Sequence, residues 1–127
     1  MINEICIIGQ PSLVGGADTE LYDQCLLWNK MGIKIYFLPT QVLTKLQEKM
    51  IIQLNANCLS RRQWNECKGM HCIGYCNGQY LTNLHHIKKY AKTTTFVNCM
   101  TWNFQKEIEC QSKGLIDFHL YQTSYSS

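Results

Sequence analysis

The sequence lacks most of the signals that assign a function at sight. No apolar run approaches the roughly 18 residues of a membrane span, so no transmembrane segment is expected. Glu4 interrupts the start and the opening apolar run is short, which argues against a secretory leader. No Asn-x-Ser/Thr acceptor occurs. Charge of one sign is sparse: the net value is +3, and the tightest basic cluster is Lys88, Lys89 and Lys92. That pattern reads as a solvated helix face, so no nucleic-acid partner is expected. Low-complexity stretches and internal repeats are also missing. The 127 residues therefore read as one domain of ordinary size, spanning 1–127.

Nucleotide fingerprints are missing as well. Gly9 is followed by Gln10 and Pro11, which breaks G-x-G-x-x-G, and no Lys-Ser/Thr follows Gly15-Gly16, which rules out a P-loop. An ordinary NAD or ATP site is not expected, and no cofactor is called for. The eight cysteines include no C-x-x-C knuckle. Cys67, His71, Cys72 and Cys76 come closest to a metal set, but adjacent His71 and Cys72 point to opposite faces of a strand. No metal is expected. Cys6, Cys72 and Cys99 lie in apolar runs, where a free thiol acts as a small hydrophobe. Reduced thiols and the missing leader point to a cytoplasmic setting. No Ser/His/Asp or Cys/His nucleophile set can be assembled from spacing, and His85-His86 reads as helix surface.

What is present begins with Glu4 to Leu21. A short apolar run, Ile5 to Ile8, breaks at Gly9, Pro11, Gly15 and Gly16, and a helical pattern follows. Apolar strand, glycine break and helix open a parallel α/β sheet. The helix start leaves backbone N–H groups unpaired, and glycines let a ligand approach them. Gly15 and Gly16 are therefore candidate binding residues, although Asp18 and Glu20 already offer negative charge there.

Downstream, the pattern predicts strands at 2–8, 33–38, 50–54, 71–76, 93–99 and 115–121. Helices are predicted at 18–31, from Thr40 as cap through 49, at 80–90 and at 103–112, with a helical turn within 60–67. Leu21, Cys25, Trp28 and Met31 form one apolar stripe on the first helix. The fold expected is a three-layer, Rossmann-like α/β sandwich with a mostly parallel sheet and the first strand central. In such sheets ligands sit beyond the carboxyl ends of the strands. Gln10 to Ala17, Asn77-Gly78 and Met100 to Trp102 fall there. Trp102 is a candidate pocket wall.

The run Gly15-Gly16-Ala17-Asp18-Thr19-Glu20-Leu21 after an apolar strand, with a helix closing in Trp28-Asn29-Lys30-Met31-Gly32-Ile33-Lys34-Ile35-Tyr36-Phe37-Leu38-Pro39, resembles the amino-terminal domain of GT-B glycosyltransferases. It is most similar to the retaining, glycogen-synthase-like group. Tyr75-Cys76-Asn77-Gly78 and Phe96 to Trp102 resemble loops of the same proteins. The resemblance implies transfer of a sugar from a nucleotide-diphosphate sugar to a sugar or lipid-linked acceptor. Gly15 and Gly16 would approach the donor phosphates, and Asn77, Gly78, Asn98 and Trp102 would line the substrate site. It also implies a carboxyl-terminal donor-binding domain, whose Glu-x7-Glu pattern is not in this sequence. The chain is then expected to be incomplete as an enzyme. Two other classes remain open: a stand-alone flavodoxin-like nucleotide- or flavin-binding module, and a noncatalytic domain that docks on a partner transferase.

Overall fold

The computed structural model describes residues 3–11, 16–75, 77–98 and 105–121. In chain order the elements are β1 (Glu4–Ile8), α1 (Gly16–Lys30), β2 (Lys34–Leu38), α2 (Lys45–Gln53) and β3 (Asn57–Cys58). A 3-10 turn (Trp64–Cys67) precedes β4 (His71–Tyr75), α3 (Gly78–Thr82), α4 (Leu84–Ile87), β5 (Thr93–Asn98), α5 (Gln105–Ser112) and β6 (Phe118–Tyr121). The six strands form one sheet in the order β3-β2-β1-β4-β5-β6, and every pairing is parallel. The protein is thus a three-layer α/β sandwich of Rossmann-like type, with β1 at the centre.

The alternation of side chains on β1 builds both faces. Ile5 and Ile7 enter a core with Leu21 and Cys25 of α1, Ile35 and Phe37 of β2, and Ile51 and Leu54 from α2 and its end. Cys6 and Ile8 enter the opposite core with Cys72, Phe96, Tyr80, Leu84 and Cys110, under α3, α4 and α5. A strand buried on both faces has no polar side, which is why β1 reads as a continuous apolar run. Each fully buried Ile or Phe contributes about 1.5–3 kcal/mol.

Four expectations are corrected. Residues 50–54 are not a strand. Met50 and Ile51 are buried in α2, Ile52 is exposed, and the third strand is the two-residue β3. The apolar run Met50-Ile51-Ile52 is short enough to mimic a strand, but a capping box fixes the helix upstream. The Thr44 side chain accepts from Gln47 N at 3.1 Å, and Gln47 Oε1 accepts from Thr44 N at 2.9 Å. Thr44, not Thr40, is therefore the cap; Thr40 is buried and bonded elsewhere.

The single helix expected over 80–90 is two short helices, α3 and α4, meeting at Asn83. Asn83 Nδ2 donates to Gln79 O at 2.9 Å and its Oδ1 accepts from Arg62 Nη2 at 3.4 Å. A side-chain amide bonded to local backbone competes with helix continuation. On α1, Leu21 and Cys25 are buried and Trp28 is half-buried, but Met31 is 64% exposed, because α1 ends at Lys30 and the stripe ends with it.

Candidate functional site

The carboxyl end of β1 is held by a glycine. Gly9 has φ of +140°, and its N–H donates to Leu38 O at 2.9 Å. A Cβ there would lie 2.6 Å from Asn77 Nδ2. Only glycine meets both demands, the left-sided φ and the close approach. Asn77 uses that proximity: its Nδ2 donates to Ile8 O at 3.3 Å, and its Oδ1 accepts from Tyr80 N at 3.1 Å as the cap of α3. One side chain thus ties the end of β1 to the start of α3, across 69 residues of sequence. Gln10 makes the matching tie on the other side. Its Oε1 accepts from Thr40 N at 3.0 Å and lies 3.2 Å from Thr40 Oγ1, which joins the segment after β1 to the segment after β2.

Between these ties opens a cleft of about 670 Å³. It lies where the chain leaves β1 towards β2 and leaves β4 towards β5, the crevice in which open parallel sheets bind ligands. Its size suits a small-molecule ligand. Gly9, Gln10, Thr40, Gln41, Asn77 and Gly78 form the strand-end side. Gln47 of α2, Gln79 and Thr82 of α3, Tyr75 and Lys106 of α5 contribute further polar groups. Among the described lining residues the polar set is five amides, two threonines, Tyr75 and one cation. Each amide can both donate and accept. Gln79 is steadied by Arg62, whose Nη1 donates to Gln79 Oε1 at 3.3 Å. Arg62 itself has φ of +58° and stacks over Trp64. Burial, with Glu20 and Cys25 nearby, pushes the Tyr75 hydroxyl up to about 12, so Tyr75 enters the cleft as a neutral phenol at pH near 7.

The sequence candidates fall as follows. Asn77 and Gly78 line the cleft. Gly16 opens α1, while Gly15 and Trp102 lie outside the described residues. Asn98 is buried and is not among the residues lining the cleft. Its Nδ2 lies 2.7 and 2.9 Å from the two carboxylate oxygens of Glu107. Glu107, only 3% exposed, is also paired with His119 Nε2, and His119 Nδ1 lies 2.8 Å from Gln111 Oε1. This buried Asn98–Glu107–His119 group fastens β5, α5 and β6 together. No sequence motif announces it, since its members belong to three elements. Gln10 lines the cleft as the start of the Gln10 to Ala17 stretch expected at the strand ends, whereas Thr40 was expected only as a helix cap and Gln41, Gln47, Gln79 and Lys106 carry no sequence signal beyond their position at strand ends and first helical turns.

The buried thiols are structural. Burial pushes the Cys25 thiol up to about 12. Cys67 is raised by its contact with Cys72 and by burial, and Cys72 chiefly by its contact with Cys6. These thiols are protonated at neutral pH and are poor nucleophiles. His71 Nδ1 lies 2.7 Å from Thr93 Oγ1, whereas Cys72 faces the opposite core. Among the described residues no group of His, Cys, Asp and Glu has the arrangement of a metal site. His85 and His86 are exposed, with ring centroids 3.9 Å apart. No helix among the described residues is long and apolar enough to cross a membrane. No family model matches the sequence, and no curated protein matches it.

Proposed function

We propose that this chain is the amino-terminal, acceptor-side domain of a GT-B glycosyltransferase, which moves a sugar from a nucleotide-diphosphate sugar to a sugar or lipid-linked acceptor. The observation that carries the reading is the cleft at the switch point of the sheet, with five amides and two threonines among its described lining residues. A carbohydrate presents hydroxyls that donate and accept at once, and amides answer both roles without a charge to desolvate. A second support is the strand–glycine–helix start, which places the amino end of α1 after β1. The named roles are binding ones: Asn77, Gly78, Gln10 and Gln79 hold and shape the acceptor cleft, and Gly15 and Gly16 admit the donor diphosphate.

Transfer needs both partners held in reacting geometry and a transition state stabilised more than the substrates. A cleft that supplies one side of that arrangement is expected to be inactive until a donor-binding domain is joined in cis or in trans. The test is transfer from a panel of nucleotide sugars by the 127-residue chain alone and by the chain joined to a GT-B donor-binding domain. No turnover alone, turnover when joined, and a loss of at least about a hundredfold in joined Gly16→Val are the expected results. Robust transfer by the chain alone, or full activity in the Gly16→Val form, would refute the reading.

The strand order favours one part of the alternative, a stand-alone nucleotide-binding module, because the order 3-2-1-4-5-6 serves dinucleotide-binding sheets, whereas flavodoxin-like sheets run 2-1-3-4-5. That module would bind a nucleotide by itself, which equilibrium dialysis of the isolated chain measures directly.

A further inference from the structure

The cleft has one charged group among its described lining residues, and that group is a cation. Lys106 stands in the first turn of α5 and lines the cleft together with the amides. Its ion pair with Glu109 spans 3.8 Å, with the two side chains 48% and 41% exposed. An exposed pair of this length contributes little and yields easily to a competing anion. The surroundings of Lys106 add positive charge. A second cavity, of about 330 Å³, is lined by Lys106 together with His85 of α4 and Lys113. Burial and then the positive charges of His86, Lys89, Lys106 and Lys113 make His85 harder to protonate. Among the described carboxylates, Glu109 is already paired with Lys106, Glu107 is buried against Asn98 and His119, and Glu20 lies near Tyr75 and has interactions of its own.

We propose that the ligand of the cleft is an anionic carbohydrate, whose hydroxyls meet the amides and whose acidic group meets Lys106. The proposal rests on the acceptor-side reading above and adds the charge of the acceptor. The anion is a phosphoryl group or a carboxylate; both offer oxygens that accept a charge-assisted bond from an ammonium, shorter and stronger than a neutral one. Lys106 on this reading sets specificity. It touches the ligand and not the reacting bond.

The test is calorimetric and NMR titration of the full chain with glucose, glucose 6-phosphate, glucuronate and inorganic phosphate. Lys106→Met and Lys106→Arg are titrated in parallel. Lys106 is half-exposed, so both variants are expected to fold, and circular dichroism verifies this. The expected result is that at least one anionic sugar binds on the order of tenfold more tightly than glucose. That preference should vanish in Lys106→Met, survive in Lys106→Arg and shrink with added salt. Stronger binding of glucose 6-phosphate identifies a phosphosugar, and stronger binding of glucuronate identifies a uronate. Phosphate alone should bind more weakly than the phosphosugar. Equal binding of glucose and both anionic sugars overturns the charge assignment and leaves the acceptor reading standing. A preference that persists in Lys106→Met also overturns it. Binding of no sugar at all overturns both.

Discussion

Gly74 shows how one missing side chain fixes a layer. It lies in β4 with Tyr80 of α3 directly above it. A Cβ built at Gly74 would lie 2.3 Å from Tyr80 Cδ2, 2.4 Å from Cγ and 2.9 Å from Cβ. Tyr80 is fully buried and stacks on Phe96 with centroids 6.2 Å apart, so it has nowhere to retreat. Gly74→Ala gains about 0.4–1 kcal/mol from a less flexible unfolded chain. The overlap costs about 1–3 kcal/mol, and the overlap wins. Urea denaturation is expected to show a lower midpoint with an unchanged slope; a midpoint equal to or above that of the parent would show that α3 can shift.

At the scale of elements, the last strand depends on a few polar anchors. Asp117, just before β6, ties that strand's start to β5 and α4. Thr94 N donates to Asp117 Oδ2 at 2.8 Å, Asp117 N donates to Thr94 O at 2.9 Å, and the Lys88 ammonium pairs with the same carboxylate. Burial pushes the Asp117 carboxyl up, but Lys88 and the Thr94 N–H outweigh it and hold the group below the ordinary carboxylate range. A carboxyl depressed in the folded state contributes stability above its unfolded value, and that contribution is lost as pH falls through the folded value. This contribution is therefore expected to stay constant near neutral pH and to be lost as pH falls below the ordinary Asp value of about 4, with that part of the acid loss missing in Asp117→Asn. The ion pair is about a third exposed, so most of the effect belongs to the Thr94 bonds. Parallel urea titrations across that range measure it, and an identical pH profile in Asp117→Asn would remove Asp117 from the account.

The whole molecule is a sheet sealed between two helical layers, and the cysteines report on that seal. Cys6, Cys25, Cys67, Cys72 and Cys110 are buried free thiols, whereas Cys58 on the edge strand β3 is exposed. A buried thiol becomes accessible when the structure opens, so its modification follows the opening equilibrium. With stabilities of about 5 kcal/mol or more, the five are expected to react at least a thousandfold more slowly than Cys58 in native buffer. Mass-spectrometric mapping of thiol modification against time reads the two classes. Rapid native-state labelling of Cys72, which sits in the core beneath α3, would show that the two layers separate without global unfolding.

Much of this architecture was legible in the sequence. The alternation of apolar runs with amphipathic stretches is a local property, so it marked β1, α1, β2, β4, β5 and α5 and hence the parallel sandwich. The breaks after β1 and β4, at Gly9-Gln10 and Asn77-Gly78, were legible for the same reason, because turn residues punctuate the chain locally. The capping box at Thr44 and Gln47 was equally local and still lost to the apolar pull of Met50 and Ile51, whose helical burial depends on the core they enter. The tertiary structure alone decided the rest. β1 lies between β2 and β4 only because the sheet order brings distant segments together, and that placement is what lets Asn77 reach Ile8 and Gln10 reach Thr40, with Lys106 lining the same cleft. No periodicity encodes such meetings, since each residue in them obeys the local rules of its own element and the site exists only where those elements converge.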